Sequence, residues 1–185
     1  ITAAMTEAGW SRRTGWPLEE RSGTLPHRRL TEGEVAILGI GQGEVLVTPL
    51  QVAMTAAIVA NDGWLVKPWV VKTIGTQPEA TPSPVRLRWS AQTLEAVREG
   101  MRAAVRHPHG TAHRAFTPVV PIAGKTGTAQ THIPGRTHGW FMGYCPVESP
   151  RVAMAILAEH GGSGGDLPTE IARAICEYVV LPESL

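Results

Sequence analysis

"AGKTGTAQ", residues 123–130, is the stretch on which the reading of this chain turns. A lysine followed by Thr-Gly-Thr has two chemical meanings. It can close a phosphate-binding loop, or it can be a strand that holds an extended substrate. A phosphate loop needs Gly, four residues and then Gly-Lys-Thr/Ser, because its backbone N–H groups must wrap the phosphates. Gly124, Lys125 and Thr126 supply the end, but the first glycine would fall at Val119. The strand-to-helix setting is also lacking. "GIGQGE", residues 39–44, fails the dinucleotide pattern GxGxxG in the same way, since its last position is Glu44.

The strand reading asks for other things. On the edge of a sheet, a KTGT segment can accept an extended peptide as an added strand. Gly127 has no side chain to keep that peptide from the backbone. Lys125 supplies a fixed cation for an anionic substrate end or a neighbouring hydroxyl. Thr126 and Thr128 supply hydroxyls for a carboxylate, and the backbone N–H of Thr128 can face a developing oxyanion. A glycine-containing turn with a surface lysine is the bland alternative. Four residues alone leave both open.

Composition narrows the field. The chain has 185 residues, 43% of them hydrophobic, enough for one core-bearing domain. Its net charge of +1 gives no footprint for nucleic acid or an acidic membrane surface. The charged fraction, 18%, is below the roughly 25% usual for soluble domains and points to surface that is covered in the working protein. No apolar run reaches the ~18 residues of a membrane span, and no signal peptide opens the chain. It begins with Ile1 and reads as a segment of a longer protein. Cys145 and Cys176 have neither CxxC spacing nor a dense disulfide pattern. Buried free thiols are expected, with a disulfide as the alternative.

Residues 11–34 are rich in Gly, Arg, Ser and Pro and predict irregular, exposed structure. Thr48 as N-cap, Pro49 at the first helical position and Gly63 as a stop bracket a helix that is apolar all round, hence buried. Residues 65–74 predict an edge or interrupted strand because of Pro68, and 76–85 a loop. Ser90 caps a further helix, with Leu94, Val97, Met101 and Val105 on one face, ending near Pro108 and Gly110. Strands are predicted over 120–130, 139–145 and 151–158, joined by short loops that suit antiparallel hairpins. A final helix runs from about Leu167 to Val180. The strand 152–158 is continuously apolar, which predicts burial on both faces in mid-sheet. Within the chain only 139–145 offers it a neighbour.

His107, His109 and His113 invite a metal reading, but no HExxH motif and no Cys/His pairing at zinc spacing is present. With Arg102, Arg106 and Arg114 they predict a solvated basic loop, not a nucleic-acid site. No metal and no cofactor is expected.

The flanks decide between the readings of KTGT. "GIGQGEVLVTPLQVAMTAAIVANDG", "IAGKTGTAQ" and "HGWFMGYCPVESPRVAMAILAEHGGSGG" followed by "IARAI" resemble, in order and spacing, the transpeptidase domain of class B penicillin-binding proteins. "EHGGSGG" leans toward the elongation-type, PBP2-like group. "TGWPLEERSGTLP" is a looser match, lacking the family's Pro-Gly before the Glu. The resemblance implies an α/β fold of the α+β type: an antiparallel sheet with packed helices, like the serine β-lactamases. It implies that Lys125, Thr126, Gly127 and Thr128 are the KTG substrate-binding strand, with the Thr128 N–H as oxyanion donor.

Two of the family's three motifs are not here. Three residues before the lysines Lys67, Lys72 and Lys125 stand Trp64, Trp69 and Ile122, so SxxK is absent. Two residues before Asn61, the one asparagine, stands Val59, so SxN is absent. In the family both precede the region matched. The chain, 1–185, is therefore expected to be the C-terminal portion of a transpeptidase domain. It would lack a nucleophile, and its last strand would pair in the family with a strand from the N-terminal part. The implied partners are peptidoglycan stem peptides and β-lactams, the remainder of the same domain, and possible self-association through the open sheet edge. The implied place is the extracytoplasmic side of the bacterial inner membrane, with an anchor outside this chain. The alternatives are a D,D-carboxypeptidase or β-lactamase relative, where water is the acyl acceptor, and a non-catalytic binding module.

Overall fold

Three helices start where the sequence offers a hydroxyl at the N-cap, at Thr31, Thr48 and Ser90. The computed structural model describes residues 1–180. A short helix, α1 (Thr2–Glu7), is followed by α2 (Glu32–Gly39) and α3 (Pro49–Ala60). Thr31 and Thr48 each complete a capping box, with Glu34 and Gln51. Helix α3 buries Val52, Met54, Ala56, Ile58 and Val59, as its apolar character requires. Gly63, with φ +84°, takes the left-handed turn that follows it. Gln51 is buried too, and its amide is fully used. Nε2 donates to the carbonyls of Arg12 (2.9 Å) and Ser22 (2.7 Å), pinning the irregular N-terminal segment to the helix. The segment 11–34 is irregular up to Thr31, though Thr14 and Leu25 in it are buried, not exposed, and α2 begins inside its expected range. The signal was Thr31-x-x-Glu34, a capping box ahead of the apolar run 35–38.

The strand expected over 65–74 does not form as one. Four two-residue strands stand instead: β1 (Trp64–Leu65), β2 (Thr73–Ile74), β3 (Gln77–Pro78) and β4 (Val85–Arg86). β1 pairs with β4 and β2 with β3, so the expected loop 76–85 contains strand residues. Pro68, Pro78, Pro82 and Pro84 deprive this stretch of donors, which limits every ladder to two rungs. Helix α4 (Ala91–Arg106) is capped by Ser90, whose hydroxyl accepts from the Thr93 N–H. Leu94, Met101 and Val105 are buried, but Val97 is 42% exposed. At about 100° per residue Val97 lies roughly 60° off the line of the other three.

The main sheet holds β5 (Ala123–Gln130), β6 (Thr137–Cys145) and β7 (Val152–Ala158), antiparallel in the order β5-β6-β7. Helix α5 (Leu167–Val180) closes the described chain. Phe141, Cys145 and Met154 face α5, where Ala172 and Cys176 meet them. Tyr144 and Ala123 face the other way, against Val59 of α3 and Met101 of α4. Helices thus cover both faces of the sheet. Gly124 has no room for more than hydrogen: a Cβ there would stand 2.2 Å from the Phe141 ring.

Two expectations are corrected. Cys145 and Cys176 are not free thiols but a disulfide, with Cα atoms 6.1 Å apart and both residues fully buried. The end of β6 and the third turn of α5 face each other across one core, which brings together two cysteines far apart in sequence. Strand β7 is not central but at the end of the sheet, and only Met154 on it is buried. Among the described residues it pairs with β6 alone, which leaves the second edge open, as expected for this chain by itself.

Candidate active-site strand

Strand β5 is the other end of the sheet, so KTGT lies on an edge. Antiparallel pairing uses the N–H and C=O of every second residue; the rest point away from the partner strand. The Thr126 carbonyl accepts from Lys125 Nζ (2.8 Å) and the Thr128 carbonyl from Gln42 Nε2 (2.8 Å). Thr126 and Thr128 are therefore the outward-facing set, and their main-chain groups line the open edge.

The side chains alternate in the other sense. Lys125 stands opposite Met142, on the face of α3 and α4. Thr126 and Thr128 stand opposite Phe141 and Gly139, on the face of α5. The cation and the two hydroxyls do not share a face. They meet only at the strand's rim, where Lys125 bends over it to reach the Thr126 carbonyl. Beside Lys125 runs an open groove of about 540 Å³ between α4 and β5, lined by Val97, Gly100, Met101, Thr111 and Met142. Tyr144, next but one to Met142, is 1% exposed; burial pushes its phenol above the ordinary value.

Two segments outside the strand hold it. The Gly164 N–H donates to Thr128 Oγ1 (3.3 Å), and Thr137 ties the same loop through Gly162 (Oγ1 to O, 2.9 Å). Gly164 lies so close that a Cβ on it would stand 2.1 Å from the Gly127 oxygen and 2.3 Å from the Trp140 oxygen. Gly127 itself has more room, its nearest neighbour being the Trp140 Cβ at 3.3 Å. The second segment is the loop of Gln42. Arg28 clamps its base, reaching Glu34 of α2 and Glu44 (2.9 Å).

That clamp carries a pH prediction. The Arg28 guanidinium first, and the Thr31 N–H and hydroxyl after it, lower the Glu34 carboxyl from 4.5 to about 2. A depressed carboxylate stabilises the fold above its unfolded value and loses that contribution as pH falls through the folded one. Glu34 is expected to titrate by carboxyl ¹³C shift with a midpoint near 2, and Arg28→Gln to move that midpoint up toward 4.5. A midpoint that Arg28→Gln leaves in place would remove the clamp from the picture.

The histidines do other work. His113 Nδ1 lies 3.0 Å from the Val105 oxygen, and its ring stacks on Phe116. The His107 ring accepts from the His109 N–H (3.1 Å). Arg114 pairs with Asp166 (3.3 Å) and Glu170 (2.9 Å), and Arg102 pairs with Glu95. Among the described residues no three His, Cys, Asp or Glu side chains cluster as a metal site would need.

The sequence reading named Lys125, Thr126, Gly127 and Thr128 as one set; they lie on β5, with Lys125 on one face and the two threonines on the other. It did not find Gln42, Gly124 or Gly164 as parts of this wall. The paired glycines around Gln42 and the run "HGGSGG" were the available signals.

A three-stranded sheet covered by helices on both faces thus ends in a Lys-Thr-Gly-Thr strand. The chain belongs to the penicillin-binding protein transpeptidase family, whose transpeptidase-domain profile matches residues 2–177. The peptidoglycan D,D-transpeptidase MrdA of Acinetobacter baumannii is 31% identical over 96% of this chain and 30% of its own length. The crystal structure of Pseudomonas aeruginosa PBP2 in complex with WCK 5153 superposes with a TM-score of 0.86 at 33% identity, over 98% of this chain and 44% of that one. PBP2 of Helicobacter pylori, in its complex with MreC, superposes with a TM-score of 0.76 at 30% identity, over 95% and 35%. The class B, PBP2-like resemblance read from the sequence is thereby shown. The chain spans about a third of the length of the curated relatives it matches. Among the described residues no helix is long and apolar enough to cross a membrane.

Proposed function

We propose that this chain is the substrate-holding wall of an elongation-type peptidoglycan D,D-transpeptidase. The observation that carries the reading is the edge strand β5, which presents the outward main-chain groups of Thr126 and Thr128 beside Lys125. A serine outside this chain attacks the carbonyl of the D-Ala-D-Ala bond. The Thr128 N–H receives the oxyanion that develops there. Thr126 and Thr128 hydroxyls hold the terminal carboxylate, and Lys125 supplies the nearby positive charge. The C–N bond breaks, and the departing D-alanine amine takes the proton that the serine gave up. An amine of a second stem peptide then attacks the serine ester, forms the cross-link and returns the serine.

The groove between α4 and β5 is the seat for the part of the domain that brings the serine to Lys125. The small side chains along α4 at Ala96, Gly100 and Ala104 leave space for a packed element. The open edge of β7 is the seat for a strand of that same part, or of a second copy when this chain is alone. Sedimentation of the isolated chain separates the two, since a monomer at every concentration removes the second. An extracytoplasmic place fits the buried Cys145–Cys176 disulfide, because such bonds persist in oxidising compartments. The H. pylori neighbour was solved with MreC, and a scaffold of that kind is a partner class for the intact protein.

The test is covalent labelling. The chain alone is expected to give no penicillin adduct, since no serine precedes a lysine by three residues anywhere in it. The intact gene product is expected to label stoichiometrically, at a serine outside residues 1–185, by fluorescent penicillin and intact mass. Labelling of the chain alone that survives denaturation would expose another nucleophile. An intact protein that never labels would make the non-catalytic binding module the better reading.

A further inference from the structure

Gln42 occupies an acceptor that an incoming strand needs. Its Nε2 donates to the Thr128 carbonyl at 2.8 Å, on the unpaired edge of β5. In an antiparallel pair, two facing residues exchange both of their main-chain bonds. A substrate residue whose carbonyl lies at the Thr128 N–H therefore offers its own N–H to the Thr128 C=O. In the transpeptidase reading, on which this inference rests, that residue carries the scissile carbonyl. The atom it seeks is already taken.

The loop is built to put Gln42 there. Gly41 and Gly43, on either side, have φ of +76° and +94°. Any other residue at those angles is strained. The backbone N–H groups of Gly41 and Gln42 return to the carbonyls of Leu38 (2.9 Å) and Ile37 (3.1 Å) at the end of α2. Arg28 fixes both flanks through Glu34 and Glu44. A side chain on so short and so tethered a loop is placed, not trailing.

We propose that Gln42 is a specificity gate on the acyl donor. It holds the Thr128 carbonyl until a donor brings an N–H to replace its own. A donor with an amide N–H next to the reacting carbonyl must displace Gln42; a donor with a hydroxyl there need not, because a hydroxyl can accept from Gln42 Nε2 and leave it in place. The gate thus taxes the first kind of donor only.

The experiment uses the intact gene product and two β-lactams. Benzylpenicillin carries an acylamino N–H beside its ring carbonyl; a carbapenem carries a hydroxyethyl group instead. Second-order acylation rates are measured for the wild type, Gln42→Ala and Gln42→Met, the last keeping length but no donor. Melting temperatures are taken on the same samples. Releasing one solvent-facing hydrogen bond is expected to shift the ratio of the two rates roughly 2- to 10-fold toward benzylpenicillin in both variants. A ratio that stays within a factor of about 1.5 overturns the gate, because a merely structural role moves both rates together. A shift toward the carbapenem overturns it too. If one variant fails to fold, the other carries the measurement. A wild type that neither compound acylates sinks the transpeptidase reading itself, and the gate with it; a wild type acylated by both with an unmoved ratio sinks the gate alone.

Discussion

Replacing Cys176 with alanine lowers the stability of this chain by about 4 kcal/mol. The bridge joins Cys145 to Cys176 across a sequence separation of 31. Closing a loop of that length removes chain entropy from the unfolded state worth about 4 kcal/mol at 25 °C. At roughly 2–4 °C per kcal/mol for a chain of this size, the melting temperature falls by about 8–16 °C. Helix α5 feels the loss first. It meets the sheet through Ala172 and Cys176 against Phe141, Cys145 and Met154, and the disulfide is its covalent tie to β6. The double replacement Cys145→Ala/Cys176→Ala is expected to cost little more than the single one, since both sulfurs belong to one bond. Thiol counting provides the check. Two thiols per chain alkylated in denaturant without reductant, together with an unchanged melt in the variant, would return the cysteines to the free state first expected.

Why the sequence reading ranked that bond second to free thiols is a matter of distance along the chain. Local signals decide local structure. Thr48, Pro49 and Gln51 write the start of α3 in four residues, and Ser90 writes the start of α4. The three strands of the main sheet were legible from local signals as well: β6 and β7 are largely apolar runs joined by short loops, and β5 carries the KTGT phrase. The stretch 64–86 was not, because its ladders are two rungs long and depend on which prolines leave a donor free. The disulfide depends on how α5 docks on β6, and no local pattern encodes that. The place of β7 was not legible from its composition, for it ends the sheet and buries Met154 alone. Its unbroken apolar run asks for cover on both sides, and β6 supplies a neighbour on one.

The site divides along the same line. Lys125 to Thr128 could be named because the chemistry is carried by adjacent residues on one strand. Their faces could not be read as a set, since alternation sends Lys125 one way and the two threonines the other. Gln42 and Gly164 reach Thr128 from 86 and 36 residues away. A glutamine between two glycines says only that a turn is there. It does not say which carbonyl the turn will touch.

Gly164→Ala is expected to damage fold and site together. Gly164 is buried flat against the rung formed by Gly127 and Trp140, so that its Cβ would overlap two main-chain oxygens at 2.1 and 2.3 Å. Neither oxygen can move, because both belong to the ladder between β5 and β6. The loop 163–165 must lift instead. Overpacking of this kind costs about 1–3 kcal/mol, a fall of roughly 2–12 °C in melting temperature. Lifting also withdraws the Gly164 N–H from Thr128 Oγ1 and frees a hydroxyl assigned to the substrate carboxylate. A displacement of about 1 Å at such a group can cost on the order of 100-fold in rate. Acylation of the intact protein by benzylpenicillin is therefore expected to slow by about 10- to 100-fold, more than the lost stability alone would produce in a protein still folded at the assay temperature. Gly33→Ala is the control. It sits in α2 with open space around it and an ordinary φ, and is expected to stabilise slightly through helix propensity. Wild-type acylation in Gly164→Ala, beside a lowered melting temperature, would show that the loop supports the sheet without positioning Thr128. An unchanged melting temperature would deny the close contact between Gly164 and the rung, and the role of the 163–165 loop in shaping the edge of β5 would go with it.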